Sequence, residues 1–251
     1  MTMTFAFQVL PWLAMAPLSG DDAPTMNSNN PPASARRECV FMVHGLGRTK
    51  LSLRWLGHQF EAQGYRVVHL SHRSTRQGIW SSAEELQAQL AEKLTGDEER
   101  VHFVTHSLGG IVVRACLQKH RPANLGRVVM LGPPNQGSEV VDRLSRNPIY
   151  RLATGPAGQE LGTAATSTPN QLGPVDYEVG IIAGSRSGNP LFSSWIREEC
   201  DGKVSVKRTG LEGMRDQIVV RSAHTFMMRS REVAAQALHF IARGEFSRST
   251  K

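Results

Sequence analysis

Short runs of consecutive apolar residues alternate along this chain with stretches whose apolar positions recur every three to four residues. Residues 39–43 are apolar throughout, as a strand buried on both faces of a parallel sheet requires. Similar runs at 65–70, 101–104, 126–131, 177–184 and 217–220 predict further strands. Between them lie helical patterns. Leu53, Leu56 and Phe60 share one helix face, with Gly64 placed to stop that helix. Ser82-Ala83-Glu84-Glu85 reads as a capping box starting a helix lined by Leu86, Leu90 and Leu94. Residues 111–117 read as a buried helix, and a last one from about Ser230 buries Val233, Ala237, Phe240 and Ile241 before Gly244. Strands alternating with helices predict a mostly parallel sheet with right-handed crossovers and helices on both faces. No strand pattern precedes Cys39, and no fixed-period repeat points to a solenoid or propeller.

Two strand ends carry chemistry. The run at 101–104 leads into Thr105-His106-Ser107-Leu108-Gly109-Gly110 and then directly into a helix. A strand, a sharp turn with a serine at its tip and a helix make a nucleophile elbow, which presents the serine Oγ above the sheet edge. The amides after it open a helix, where they can stabilise an oxyanion. The plainer alternative is a serine N-cap in any α/β protein. The run at 39–43 ends in His44-Gly45-Leu46-Gly47, and His44 itself is read as a loop histidine bonded to backbone. In the C-terminal third, Asp201 lies in a loop after the 177–184 strand, and His224 follows the last strand. The order serine, acid, histidine differs from that of chymotrypsin-like and subtilisin-like chains.

These motifs together resemble bacterial lipases and esterases of the α/β-hydrolase fold, over Cys39 to Phe246. The resemblance is strongest to the small branch related to triacylglycerol lipases and GPI-inositol deacylase-like proteins. Leu131-Gly132-Pro133-Pro134-Asn135-Gln136-Gly137-Ser138 adds to it, being similar to a Gly-x-Pro-x-x-Gly-Ser loop of that branch. The resemblance implies a reduced core without the fold's usual first hairpin. It also implies Ser107 as nucleophile, His224 as base and Asp201 as the acid that orients it. The backbone amides of Leu46 and Leu108 would form the oxyanion hole. Asp201 is preferred over Asp176, Glu198, Glu199, Glu212 and Asp216 because Asp201-Gly202-Lys203-Val204 is similar to the family's Asp-Gly-x-Val loop. One departure is Thr105, where the family most often has glycine; a β-branched residue there crowds the turn. Segment 146–174, rich in Gly, Pro, Ser and Thr, falls where such proteins insert a cap. Ile149, Tyr150, Leu152 and Leu161 could line its acyl pocket or equally anchor the loop, with Ile149 and Leu152 the candidates for substrate contact.

Composition adjusts this picture only slightly. At 251 residues and 40% hydrophobic content, one sizeable core is expected, spanning 38–251. Three widely spaced cysteines suggest buried thiols, and no Cys/His spacing suggests a metal, so no cofactor is expected. The net charge of +7 has no aromatic interleaving or motif for nucleic acid, which leaves a solvated basic face and weak membrane-surface association as readings. Segment 1–37 reads as a flexible or targeting N-terminus: its apolar part is too short to span a bilayer and lacks an early Lys or Arg. The cytoplasm is slightly favoured, with export or membrane association left open. The expected activity is hydrolysis of carboxylic, lipid-like esters. An amidase or thioesterase using the same triad, or a binding protein on the same fold, is the alternative.

Overall fold

The computed structural model describes residues 37–188 and 190–248. The expected N-terminal segment therefore lies outside the described residues, apart from Arg37. β1 (Glu38–Val43), α1 (Arg54–Glu61), β2 (Arg66–Leu70), α2 (Ile79–Lys93), β3 (Arg100–His106), α3 (Leu108–Lys119) and β4 (Leu125–Leu131) alternate strictly. α4 (Glu139–Leu144), α5 (Pro148–Gln159) and α6 (Thr168–Gln171) then precede β5 (Val179–Gly184). The chain ends with α7 (Pro190–Ile196), α8 (Val206–Thr209), β6 (Asp216–Val220) and α9 (Arg231–Arg243).

The six strands form one parallel sheet in the order β2-β1-β3-β4-β5-β6. The chain leaves β1 toward one edge and returns to β3 on the other side of it. Strand order thus reverses between β1 and β3, and ligand crevices in open α/β sheets form beyond the carboxyl ends of such strands. The His44 loop and the Ser107 elbow both start there.

The continuous apolar runs divide by alternation. Cys39, Phe41 and Val43 join Val101, Phe103, Val128 and Met130 in a cluster with the α2 and α3 residues Leu86, Leu90, Ile111 and Ala115. Val40, Met42, Val104, Val129 and Leu131 pack on the other face against Leu56, Phe60, Val233, Ala237 and Phe240 of α1 and α9. Each such side chain withdrawn from water contributes about 2 kcal/mol, which is why the inner strands carry no polar face. All three cysteines are buried and unpaired, and burial pushes Cys39 up to about 11 and Cys116 up to about 12. Among the described residues no helix is long and apolar enough to cross a membrane.

Two local expectations are corrected. The second helix does not start at Ser82: it begins at Ile79, with Gly78 as N-cap, and Ser82 is buried in its first turn. Its leading amide at Ile79 donates to the Glu160 carboxylate (3.2 Å), so the cap comes from a distant segment. Segment 146–174 is largely helical, because Asn147 caps α5 by accepting from the amides of Ile149 and Tyr150 (2.9 and 3.1 Å). Pro148 sits at the first helical position, where its missing N–H costs nothing.

Candidate active site

β3 ends at His106, and Ser107 turns the chain with φ 53° and ψ −125° before α3 begins. A positive φ in a non-glycine residue is strained and has to be held in place. The Ser107 amide donates to the Leu131 carbonyl (2.9 Å), and its own carbonyl accepts from the Gly110 amide (2.9 Å). The following glycines let α3 lie close to the sheet: a Cβ on Gly109 would stand 2.5 Å from the Val43 carbonyl oxygen. The crowding expected of Thr105 is relieved across the turn. Gly110 has no Cβ, and one built there would lie 3.2 Å from the Thr105 Oγ1.

Asp201, His224 and Ser107 come together, although 94 residues of chain separate Ser107 from Asp201 (201 less 107). Asp201 Oδ2 accepts from His224 Nδ1 (2.6 Å), and Ser107 Oγ donates to His224 Nε2 (2.9 Å). The other carboxylate oxygen, Oδ1, accepts from the amides of Lys203 and Val204 (both 2.9 Å). An aspartate that closes its own turn in this way leaves one oxygen aimed at the imidazole. The His224 amide returns a bond to the Asp201 carbonyl (3.0 Å), so the two residues are tied through backbone as well. Asp201 and His224 are buried while Ser107 is half-buried, leaving access to the serine alone. Gly132 (φ +53°) closes the far side: a Cβ there would lie 2.8 Å from Asp201 Oδ2 and 3.1 Å from His224 Nδ1. Two of the rival carboxylates are occupied elsewhere. Asp176 pairs with Arg121, and Asp216, at the start of β6, holds Arg248 and the Phe246 amide.

The His44-Gly45-Leu46-Gly47 loop lies against the elbow, since a Cβ on Gly45 would stand 3.0 Å from Ser107 Cβ. Neither the Leu46 nor the Leu108 amide has an intramolecular acceptor among the described residues. Free donors flanking a nucleophile are what an anionic oxygen requires. His44 behaves as the loop histidine expected: Nδ1 donates to the Gly45 carbonyl (3.0 Å), and Nε2 accepts from the His72 amide (3.4 Å).

Several supporting residues give little sign in the sequence. His72 Nε2 donates to the His44 carbonyl (2.9 Å), its ring stacked on His44 at 4.5 Å. Ser74 Oγ accepts from the Gly47 amide (3.1 Å), so the loop after β2 clamps the His44 loop from two points. Burial, with the neighbouring His44, lowers His72 to about 4 and keeps it neutral. His106 Nε2 donates to the His224 carbonyl (2.9 Å), and its ring lies 4.8 Å from that of His224. Complete burial, and then the His224 ring, hold His106 well below the ordinary histidine value. Ser138 Oγ donates to the Lys203 carbonyl (2.7 Å), tying the loop after β4 to the Asp201 loop.

In the 146–174 segment, a Cβ on Gly158 would sit 3.3 Å from Leu46 Cδ2, and the Ala157 amide donates to the Gln77 carbonyl (3.3 Å). The second half of α5 therefore packs beside the His44 loop. Ile149 and Leu152, in its first half, are 64% and 86% exposed, in contact with solvent rather than core. Two concavities lie away from this site, at the amino ends of the strands around Arg66 and Arg127. Ser107 itself is half-buried. Among the described residues no group of three or more His, Cys, Asp or Glu side chains is placed to hold a metal ion.

Solved structures share this architecture. A Bacillus licheniformis lipase, BlEst2, in mature form superposes with a TM-score of 0.68 at 17% identity, covering 88% of this chain and 96% of that one. A metagenomic carboxyl esterase, MGS0156, gives 0.62 at 18%, covering 82% and 70% respectively. Phospholipase PlaB from Legionella pneumophila gives 0.58 at 18%, covering 69% of this chain and 45% of that one. At these identities the likeness establishes the α/β-hydrolase fold, as the sequence motifs led one to expect. No curated protein matches the sequence. A family model described as a domain of unknown function, DUF7379, matches residues 15–176. That is more than half of the 251 residues, and the chain belongs to the DUF7379 family.

Proposed function

We propose that this protein is a serine hydrolase cleaving carboxylic esters, lipid-like ones among them, through Ser107, His224 and Asp201. The observation that carries this reading is the unbroken chain from Asp201 Oδ2 through His224 to Ser107 Oγ, at 2.6 and 2.9 Å, on a strained elbow. A carboxylate can only accept, so Nδ1 of His224 bears the proton and Nε2 is free to take that of Ser107. The serine oxygen attacks the ester carbonyl, whose oxygen becomes anionic and turns to the Leu46 and Leu108 amides. One such donor is worth about 3 kcal/mol in comparable sites. His224 then gives its proton to the leaving alcohol, and water repeats the sequence to release the acid. The lipase and esterase neighbours support the same class of reaction on grounds of fold.

A fluorophosphonate probe tests the assignment directly. It is expected to label the wild type and leave Ser107→Ala unlabelled, with hydrolysis of p-nitrophenyl butyrate lost in parallel. Labelling that persists in the variant removes the serine-hydrolase reading.

A further inference from the structure

Residues 132–138, which join β4 to α4, take no part in the proposed chemistry, yet they surround the segment that carries Asp201. Gly132 lies against Asp201 and His224, and Ser138 Oγ donates to the Lys203 carbonyl (2.7 Å). At the far end of the same segment, Asn135 Nδ2 donates to the Thr209 carbonyl (2.8 Å). Gln136 adds bonds to the Arg208 carbonyl through its amide (3.0 Å) and to the Gly210 carbonyl through Nε2 (3.1 Å). Residues 201–210 are thus held at their start and at their end by one neighbouring loop. That loop is held in turn from α3. Arg114, about two turns along the helix that Ser107 opens, donates through Nη1 to the Asn135 carbonyl (3.3 Å) and to Asn135 Oδ1 (3.1 Å). Its Nη2 donates to the Gly173 carbonyl (2.7 Å), at the end of the 146–174 segment.

Arg114 and Asn135 are 3% and 2% exposed. Burial lowers Arg114 to about 10, so its charge persists at neutral pH. Among the described residues it pairs with no carboxylate, and its Nε is buried without a partner. Burying a cation in this way opposes folding. Elsewhere on α3, Ile111 and Ala115 fill the core with apolar groups, so packing alone gives no reason for a charge here. What the charge does have is direction. A guanidinium is a planar fork of donors, and three oxygens from two separate segments converge on it. Asn135 then has a single workable orientation, with Oδ1 accepting from Arg114 and Nδ2 donating to Thr209. A flipped amide would set donor against donor at one end and acceptor against acceptor at the other. The place of the cation therefore dictates where the Thr209 end of the Asp201 segment sits.

We propose that Arg114 is a positioning residue which, through Asn135, sets the Asp201 segment in register with the helix that Ser107 opens. It touches neither the substrate nor the reacting atoms. Its effect on turnover rests on the ester-hydrolase reading. Ser107 and Asp201 meet the His224 ring at its two different nitrogens, at 2.9 and 2.6 Å. An error in the spacing between α3 and the Asp201 segment is therefore taken up at one or both of those bonds. Proton transfer depends on their geometry far more steeply than substrate binding does.

Two variants cut the connection at different points. Arg114→Met removes the charge and keeps an unbranched side chain. Asn135→Asp keeps an acceptor for Arg114 but loses the donor to Thr209, so it severs the link to the Asp201 segment alone. In both, kcat for p-nitrophenyl butyrate is expected to fall about tenfold with KM nearly unchanged. The acid limb of the kcat/KM–pH profile should move to lower pH, because a carboxylate held less firmly favours the protonated imidazole less. Arg114→Lys, which still donates toward the same oxygens, should recover part of kcat. Hydrogen exchange reads the same connection without catalysis. The Lys203, Val204 and His224 amides, all bonded to Asp201, should exchange faster in Asn135→Asp than in the wild type, while the amides of β1 and β3 stay protected. Should Arg114→Met fail to fold, Asn135→Asp decides alone. Unchanged exchange at those three amides, or a pH profile that does not move, overturns the proposal while ester hydrolysis stands. A wild-type protein that neither hydrolyses the ester nor takes the fluorophosphonate probe overturns both readings.

Discussion

His106 shows how much depends on one residue next to the proposed nucleophile, Ser107. Its Nδ1 is buried without a partner, and its Nε2 can only donate to the His224 carbonyl, so a single neutral tautomer is compatible with the site. We propose it as a positioning residue: it holds the backbone of the proposed general base, His224, against the strand that carries the serine. His106→Ala leaves that carbonyl unpaired and frees the loop after β6. We expect kcat to fall about tenfold with KM little changed, since a small error in base placement weakens proton transfer rather than binding. His106→Gln, which can still present an N–H to the carbonyl, should recover part of the loss. Equal effects on kcat and KM, with no recovery by glutamine, would reduce His106 to a packing residue. The sequence placed Ser107, Asp201 and His224 where the structure brings them together, because serine, acid and histidine follow strand ends in a fixed order. It could not show His106, His72 or Ser74, whose value lies in bonds to backbone carbonyls and amides of other loops.

At the scale of elements, the strands were legible to within a residue or two, since each inner strand must feed apolar side chains to two helix layers. α2 was misjudged by three residues at its start because a carboxylate from position 160 replaces the local cap. α5 was obscured by the non-helical Gly155 and by Pro156, which break its periodicity at a kink. Asn147-Pro148 was the available signal, an N-cap followed by the residue that best tolerates the first helical position. The proposed part for this segment is a wall for the acyl chain: its second half packs beside Leu46, and its first half offers Ile149 and Leu152 largely exposed. Exposed apolar side chains on a segment that packs beside Leu46 are available to a long acyl group. Ile149→Ala and Leu152→Ala are therefore expected to shift selectivity across p-nitrophenyl acetate to palmitate, by about 1–3 kcal/mol per methylene-sized change. Probe labelling of Ser107 should be unaffected in rate. An unaltered chain-length profile would mean that α5 acts only as a brace for the His44 loop.

For the whole molecule, the decisive charge feature is a set of histidines held neutral inside it. His72 and His102 are each lowered to about 4, the first mainly by burial and then His44, the second by burial and then Arg127 and Arg100. His44, His69 and His106 are lowered by burial too. An unfolded chain protonates these rings near 6.5, whereas the folded one refuses the proton until far lower. Above that value neither state binds it, and the groups leave stability unchanged. As pH falls from 6.5 toward 4, the unfolded state gains protons that the folded state does not, so stability declines throughout that window. Each of His72 and His102 contributes a loss of about 3 kcal/mol at its lower end. The carboxylates Glu98 and Asp216, lowered by their hydrogen bonds and partners against burial, add their loss only below the ordinary carboxylate range. Acid sensitivity is thus expected to set in as pH falls below 6.5, and to begin at the clamp that His72 provides for the His44 loop. Denaturant melts at half-unit steps from pH 7.5 to 4 measure this. The midpoint should fall steadily below 6.5, and His102→Gln, which keeps an acceptor near the Arg127 amide without a titrating ring, should flatten the slope. A midpoint constant down to pH 4.5 would mean that these rings accept protons in place, and that the loops around Ser107 relax without unfolding the sheet beneath them.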